Sequence, residues 1–287
     1  MTKVRGTSTA RLCWQNMGAA GIEAVERGLG FIDLSGWRKL AVTGSDAVGW
    51  LNDLVTNRVD DLGPGKARRS LLLSRTGHVR AEFHVVSTRE GRVLLQDPVQ
   101  PPLQPMLEPY VLSSDVTLED RTRVLLLFVV STATGGRTFQ PFPFPGLAGV
   151  LGEQSPPDGH PVQEAELEVW RIRHGRPRFG VDLGDDALPP EAGWDDLVDR
   201  TKGCFLGQEA VAKMSSLGHP TRLIVPLRAE LAPPLAEPVL SGGDVVGRVT
   251  SVAPDTDGYA VLARIAWKAR DAVLHTSAGW PLARRDS

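Results

Sequence analysis

The residues Lys202-Gly203-Cys204-Phe205-Leu206-Gly207-Gln208-Glu209 form the most specific segment of this sequence. The segment holds one of the two cysteines of the chain, between a lysine and a helix predicted to begin near Gly207. A thiol reacts as its thiolate, and a nearby cation or a helix N-terminus favours that form. Glycines at 203 and 207 allow a tight turn or a close approach to a ligand. The pattern indicates a reactive-cysteine loop, and a small apolar residue packed beside Phe205 is the alternative.

The length and composition indicate an ordinary globular protein with more than one domain. A chain of 287 residues is long for a single hydrophobic core and suits two or three domains. Hydrophobic residues make up 41% and charged residues 23%, which excludes a disordered or fibrous chain. A net charge near -2 gives no field for direct binding of nucleic acid or of an anionic membrane, so we expect neither partner.

Neither the first residues nor any internal segment predicts secretion or membrane insertion. The start, Met1 to Gly6, lacks the apolar core of a signal peptide. The longest apolar run, Val124 to Val130, is too short to cross a bilayer and predicts a buried strand. Two distant cysteines do not make a disulfide framework, so we expect a reducing, cytoplasmic location.

The first third of the chain predicts a helix beside a meander of strands. Trp37 to Thr43 is typical of a strand, and Ser45 is the predicted N-cap of the helix that follows. Further strands are predicted at 69–74, 78–87 and 92–96. This succession favours an α+β layer over alternating βαβ units.

Polar and apolar side chains alternate along the strand at 78–87. Such alternation is typical of a sheet with one face in water, and the polar members are Arg80, Glu82 and His84. We therefore expect His84 to be a surface residue rather than a ligand.

The remaining segments predict a second layer and a barrel. A strand pair is predicted at 116–118 and 124–130, and the proline-rich run 140–145 is predicted to be an extended surface loop. A helix is predicted at 164–174. Short β-rich runs after residue 219, separated by glycine and proline turns, suit a small β-barrel.

Four arginines lie close together at the end of the predicted helix and just beyond it: Arg171, Arg173, Arg176 and Arg178. They are compatible with a solvated basic face. They are equally compatible with an anion site, for instance for a carboxylated ligand tail.

The count of possible ligands argues against a resident metal centre. The six histidines are scattered, and neither a Cys-x-x-Cys nor a His-Glu-x-x-His motif occurs. An iron–sulfur cluster needs about four ligands, mostly cysteine, which Cys204 and the remote Cys13 do not supply. We expect no resident cluster, although Cys204 remains able to share one with another molecule. The glycine-rich nucleotide-binding loops are also missing.

The segment Lys202 to Glu209 resembles the signature Lys-Gly-Cys-Tyr/Phe-x-Gly-Gln-Glu of the YgfZ family, a relative of the glycine-cleavage T-protein aminomethyltransferases. Other segments resemble the same proteins, from residue 30 to about residue 270. They are Asp33-Leu34-Ser35, Val42 to Ala47, Leu51 to Asn57, Ser70 to Leu73, Gly77 to Val79, the run from Arg171 to Glu191, and Gly247 with Thr250-Ser251.

The resemblance implies a three-domain ring with two α+β domains, each a ferredoxin-like sheet plus helix, and a C-terminal β-barrel. The expected divisions are a poorly defined segment at 1–28, α+β domains at 29–115 and 116–218 that are open to interleaving, and a barrel at 219–287. It also implies tetrahydrofolate, or another folate, bound without a covalent link in a central cavity.

The resemblance further implies a role in the synthesis or repair of iron–sulfur clusters in client enzymes, including those that methylthiolate tRNA. Expected partners are folate and iron–sulfur client or assembly proteins. Cys204 is the expected functional thiol, with Lys202 holding it as a thiolate or contacting a ligand. Folate contacts are expected from the arginines and the tryptophan near the signature and from the signature itself: Arg171, Arg173, Trp194, Lys202, Gly203, Gly207, Gln208 and Glu209.

One departure from the T-protein bears on the reaction. The folate-contacting glutamate of the T-protein corresponds to Arg173 here. The segment with its catalytic aspartate has no clear counterpart, and the nearest stretch is Leu94-Leu95-Gln96-Asp97. The accessory role is therefore the main expectation. The alternatives are a tetrahydrofolate-dependent aminomethyl or one-carbon transferase, and a scaffold that has lost folate binding.

Overall fold

The computed structural model describes residues 21–133, 138–143, 145–152 and 155–285, without the side chains of 214–217. Two five-stranded sheets and a closed six-stranded barrel make up the architecture. The predicted α+β layers and C-terminal barrel are therefore confirmed. Among the described residues, no helix is both long enough and apolar enough to cross a membrane.

The first sheet has the spatial order β3-β4-β5-β2-β6, and all its strand pairs are antiparallel. Its strands are β2 Arg38–Thr43, β3 Ala67–Leu73, β4 Val79–Ser87, β5 Arg92–Gln96 and β6 Thr117–Asp120. Helices α2 (Ala47–Leu54) and α3 (Gln104–Leu107), with a 3₁₀ turn at Glu108–Tyr110, belong to the same layer. They cover the outer face through a cluster that contains Leu51, Phe83 and Leu107.

The second sheet has the order β10-β1-β7-β9-β8. Its strands are β1 Gly30–Asp33, β7 Leu126–Ser131, β8 Thr138–Phe139, β9 Leu147–Gly152 and β10 His160–Val162. The strand β1 comes from the start of the described chain, yet it lies between β7 and β10 and pairs in parallel with β10. The two sheets therefore interleave along the sequence.

Helix α4 (Glu164–Arg173) follows the second sheet, and α5 (Gln208–Leu217) follows the signature loop. Both lie where their sequence patterns predict them. Residues 21–26 form a further helix, α1, and 3₁₀ turns occupy Pro189–Ala192, Asp195–Leu197 and Trp267–Ala269.

The barrel closes in the order β11-β14-β13-β12-β15-β16, with β16 returning to β11. Its strands are β11 Arg222–Ala229, β12 Pro238–Ser241, β13 Asp244–Asp255, β14 Gly258–Ala266, β15 Leu274–Thr276 and β16 Pro281–Arg284. The interior is filled by aliphatic side chains such as Leu227, Val261 and Ile265, all fully buried.

The structure corrects three local predictions. The predicted strand pair is not a pair, because β6 joins β2 in the first sheet whereas β7 joins β1 and β9 in the second. Ser45 does not cap α2, because its N–H and its hydroxyl both donate to Asp115 instead. The run 140–145 is only partly a surface loop: Gln140, Pro141 and Pro145 are exposed, but Phe142 is completely buried between the two sheets.

A buried ion pair between Arg171 and Asp182 joins α4 to the barrel. Asp182 is 1% exposed and accepts hydrogen bonds from the Arg171 guanidinium (2.7 Å) and from the N–H of Arg178 (2.9 Å). Its other oxygen accepts the hydroxyls of Thr250 and Ser251 in β13, each at 2.6 Å. One carboxylate thus fixes the orientation of three segments at once.

We predict that Asp182→Ala lowers the free energy of unfolding by about 3–5 kcal/mol, because it removes the fully buried one of the two carboxylates that pair with Arg171 and leaves this guanidinium incompletely compensated. Urea denaturation measures the change. The matched control is Asp257→Ala in the exposed barrel pair Arg228–Asp257, which should cost less than about 1 kcal/mol. Equal losses for the two variants would contradict the role given to Asp182.

Candidate functional site

A cavity of about 310 Å³ lies between the first sheet and α4. This volume is at the lower end of the range for small-molecule sites. The wall is formed by the segment before β2, strands β3 and β4, the loop after β5, the loop before β9, helix α4 and the loop after it. The lining residues are Trp37, Arg69, Glu82, Phe83, His84, Asp97, Gln100, Pro143, Glu164, Ala165, Leu167, Glu168, Arg171, Pro177 and Arg178.

Each arginine of this wall is paired with a carboxylate. Arg69 donates to Glu82 at 2.7 Å. Arg178 holds both oxygens of Asp97, at 2.6 and 3.0 Å, and also reaches Glu168 at 3.1 Å. The burial of Arg178 opposes its charge, but Asp97 and Glu168 outweigh that effect and raise its pKa above the usual value. The cavity therefore presents a neutralised frame rather than a cluster of free cations.

His84 lies on the inner wall of this cavity, and the prediction that it is a surface residue is wrong. Its side chain is buried, with the residue 4% exposed, and its ring packs edge-on against Phe142 at 4.9 Å between centroids. Burial, assisted by the charge of Arg69, lowers the pKa of His84 from 6.5 to about 3. The second sheet and α4 cover part of the polar face of β4, so Glu82 and His84 line a cavity, whereas Arg80 stays exposed.

Two buried polar atoms of the wall have no hydrogen-bond partner among the described residues. They are the Nδ1 of His84 and the Nε1 of Trp37. Buried polar groups are nearly always paired, so unpaired ones beside a cavity are compatible with a ligand that completes them. The wall therefore suits a polar, largely uncharged group.

Lys202 of the signature anchors its loop to the first layer. Its ammonium donates to the carbonyls of Val55 (2.6 Å) and Asn57 (3.2 Å) and to that of Asn52. These carbonyls lie at the end of α2 and just beyond it, where helix geometry leaves acceptors unsatisfied. Burial lowers the pKa of Lys202 to about 8, so at neutral pH it is still an ammonium with three acceptors. These hydrogen bonds give the cation a structural role in anchoring the loop, and its expected action on Cys204 stays a prediction.

The rest of the loop is held by one aromatic side chain and one glycine. Phe205 is 6% exposed and packs among Leu71, Phe179 and Trp194. Gly207 has φ +83°, and a Cβ there would lie 2.5 Å from the carbonyl oxygen of Ser74. Cys204, in contrast, is exposed and does not line the cavity. The loop is docked firmly while its thiol faces solvent.

The structure separates the residues that the sequence assigned to folate binding. Arg171 lines the cavity, but its guanidinium is already engaged by Glu168 and Asp182. Trp194 is buried beneath Arg69, whose guanidinium lies 4.9 Å from the centre of its ring. Trp194 therefore does not line the cavity itself, and Arg69 lies between its ring and the cavity.

Arg173 lies on the barrel side of α4 instead of in the cavity. It donates to the carbonyl of Pro254 at 2.8 Å and lies 3.5 Å from Asp255. The position therefore does not support a folate contact for Arg173. None of the residues 202–209 lines the cavity either. Gly203, Gln208 and Glu209 of the signature therefore lie outside it.

Trp37 and Glu168 are among the wall residues that sequence reasoning did not single out. Trp37 looked like the start of a strand, and no local signal distinguishes a cavity tryptophan from a core one. Glu168 lies three residues before Arg171 on α4 and binds it at 2.5 Å, a spacing that identifies neighbours on one helix face. In the described part of the chain, no group of three or more histidine, cysteine or acidic side chains is arranged to hold a metal ion.

Comparisons with known proteins agree with this architecture. A family model described as the GCVT N-terminal domain matches residues 6–131. An aminomethyltransferase of Streptomyces avermitilis is 26% identical, over 80% of this chain and 76% of that protein. One from Nostoc sp. is 24% identical, over 83% of this chain and 77% of its own length.

The crystal structure of glycine cleavage system aminomethyltransferase T from Bartonella henselae superimposes with a TM-score of 0.75. The superposition covers 90% of this chain and 85% of that one, at 18% identity, and therefore establishes the fold. Together the matches support a place in the superfamily of the glycine-cleavage T-protein. The narrower resemblance to the YgfZ family is not confirmed by them.

We predict that His84 makes the protein sensitive to mild acid. The unfolded chain binds a proton at this side chain below about pH 6.5, whereas the folded chain resists protonation down to about pH 3. The free energy of unfolding should therefore decrease as the pH is lowered from about 6.5 to about 3. This residue contributes up to about 1.4 kcal/mol of that loss per pH unit.

Urea unfolding of wild type and His84→Phe at about pH 7.5 and about pH 5 measures the effect. The variant should lose less stability than wild type between the two conditions. His160→Phe, at an exposed histidine, is the matched control and should behave like wild type. Identical pH dependence in all three proteins would contradict a neutral, buried His84.

Proposed function

We propose that this protein binds a tetrahydrofolate in the central cavity and acts as a tetrahydrofolate-dependent one-carbon transferase. The observation that carries the proposal is the cavity with its unpaired polar atoms, in a fold shared with an aminomethyltransferase. The similar proteins are named as aminomethyltransferases, which favours the transferase over the accessory role that the signature suggests.

The wall has the composition that a reduced pterin requires. Trp37, Phe83 and Leu167 supply apolar surface, while His84 and Trp37 supply the unpaired polar atoms. A bound tetrahydrofolate would supply the carrier nitrogens for a one-carbon unit. The arginines are occupied, so we expect the charged glutamyl tail to extend from the cavity rather than lie inside it.

Transfer chemistry also needs a group that accepts and returns a proton. Asp97, Glu168 and Glu82 are committed to ion pairs with arginines. Glu164 is the remaining carboxylate of the wall; it is exposed and forms no ion pair with the described residues. Glu164 is therefore the carboxylate best placed to act as a general acid and base, in contrast to the neutralised Asp97.

A second candidate function is support of iron–sulfur enzymes through Cys204. The observation that favours it is the exposure of this thiol on a loop that Lys202, Phe205 and Gly207 hold in place. Folate binding in the cavity does not account for that arrangement. In this function the cluster or its sulfur belongs to a client protein.

We predict that filling the cavity abolishes folate binding. Ala165 lines the cavity from α4 and is exposed, so Ala165→Trp should place an indole in the ligand volume without disturbing the core. Isothermal titration calorimetry with tetrahydrofolate should show binding to wild type and at least a tenfold loss in the variant, about 1.4 kcal/mol.

Ala212→Trp, at an exposed position of α5, is the matched control and should bind as wild type does. If wild type shows neither heat of binding nor quenching of tryptophan fluorescence, the protein is a scaffold and the proposal is wrong. Equal affinity of Ala165→Trp and wild type would place the folate elsewhere.

The two candidate functions make opposite predictions for Cys204→Ala. Because Cys204 lies outside the cavity, the variant should bind tetrahydrofolate within about twofold of wild type in either case. In the transferase function, it also retains turnover of an aminomethyl donor with tetrahydrofolate. In the accessory function, it fails to restore iron–sulfur enzyme activity in a deletion strain, whereas wild type restores it. Full complementation by Cys204→Ala excludes a thiol-dependent accessory role.

A further inference from the structure

The one hydrogen bond of His84 determines which of its two ring nitrogens carries the proton. Its Nε2 lies 3.3 Å from the carbonyl oxygen of Pro143. A carbonyl oxygen accepts hydrogen bonds and never donates them, so Nε2 must carry a proton. The ring is neutral at physiological pH because burial strongly disfavours its charged form. A neutral imidazole has one N–H, so Nδ1 has no proton and presents a lone pair.

This lone pair has no donor within the protein. Nδ1 is buried and lacks a hydrogen-bond partner among the described residues, although His84 lines the cavity. The residue is 4% exposed, so bulk water does not solvate the ring. An unpaired acceptor in such a place is unfavourable, and a bound donor would remove that cost.

Trp37 supplies the complementary group. Its Nε1 is a donor without the ability to accept, and it too lacks a partner among the described residues. The Trp37 and His84 rings both pack edge-on against the same phenyl ring, Phe142, with centroids 5.7 and 4.9 Å away. One acceptor and one donor are therefore presented around a common apolar contact.

The arginines of the wall take no part in this recognition. Arg69, Arg171 and Arg178 are each paired with carboxylates, so none is free to select an anion. A ligand with an N–H beside a carbonyl oxygen would complement the Nδ1 acceptor of His84 and the Nε1 donor of Trp37. The pyrimidinone edge of a pterin has this amide-like arrangement, with its ring N3–H next to the C4 carbonyl.

We propose that His84 and Trp37 recognise the pyrimidinone edge of the bound folate by hydrogen bonds. Nδ1 of His84 accepts the ring N3–H, and Nε1 of Trp37 donates to the adjacent carbonyl oxygen. His84 is then a specificity-determining residue for the ligand, a role that rests on the proposed binding of folate in this cavity. A ligand without the N–H leaves Nδ1 unpaired in a site that excludes water, and is rejected for that reason.

The test compares tetrahydrofolate with its 3-deaza analogue, in which an isosteric C–H replaces the ring N–H. Calorimetry with wild type should show tetrahydrofolate binding at least about tenfold more tightly than the analogue. His84→Phe should bind the two ligands within about twofold of each other, because it has no acceptor to leave unpaired. His160→Phe should discriminate as wild type does.

The outcomes separate this inference from the proposed function. If wild type binds neither ligand, the proposed function fails and the inference fails with it. If wild type binds both equally, or if His84→Phe keeps the full discrimination, the inference is overturned while folate binding stands.

A second measurement uses wild type alone and does not depend on the folding of a variant. Nitrogen-15 spectra of the histidine rings should show one ring protonated at Nε2, with an Nδ1 resonance that shifts when tetrahydrofolate is added. A His84 ring protonated at Nδ1, or an unchanged Nδ1 resonance at saturation, overturns the proposal.

Discussion

The Asp182 carboxylate holds a negative charge away from water at the meeting point of α4, the loop after it and the barrel. A charge in that position is tolerable only when every hydrogen bond it needs is provided, and Arg171, Thr250 and Ser251 provide them from two separate parts of the fold. Desolvation offsets most of the attraction in such a pair, so its contribution is orientation more than net stability. Arg171 also binds Glu168 in the cavity wall. The positions of the cavity-wall residues on α4 therefore depend on how the barrel packs against this helix.

The cavity and the cysteine loop are separate sites connected by packing. Phe205 and Trp194 share one apolar cluster, and Trp194 supports Arg69, whose guanidinium forms part of the wall. Lys202 ties the same loop to the end of α2 in the first layer. A change in the wall thus has a continuous path of contacts to the loop that carries Cys204. The two proposed functions, a folate-dependent reaction that the comparisons favour and a thiol-dependent one that the sequence signature favours, would therefore use separate places in the fold that share this packing.

Sequence periodicity was sufficient for the layers, the barrel and helices α4 and α5, because local hydrophobic patterns determine those elements. It was insufficient wherever a distant segment decides the environment. His84 alternates with apolar neighbours as a surface residue would, and only the second sheet and α4 convert that face into a cavity wall. Phe142 belongs to a proline-rich run that resembles a loop, yet it fills the space between the sheets. Lys202 beside Cys204 suggested thiolate stabilisation, but its acceptors lie about 150 residues upstream, a distance that no local pattern reveals.

The position of β1 has a consequence for how the chain is made. This strand lies between β7 and β10, so both of its neighbours are synthesised roughly one hundred or more residues after it. During translation β1 therefore keeps two unpaired edges until β7 is made, whereas all strands of the first sheet are present once residue 120 has been synthesised. The first sheet is able to form on the nascent chain, whereas the second must wait for residue 162. Until then the apolar face between the sheets has no cover, which makes this interval the period of greatest exposure to aggregation and to chaperones.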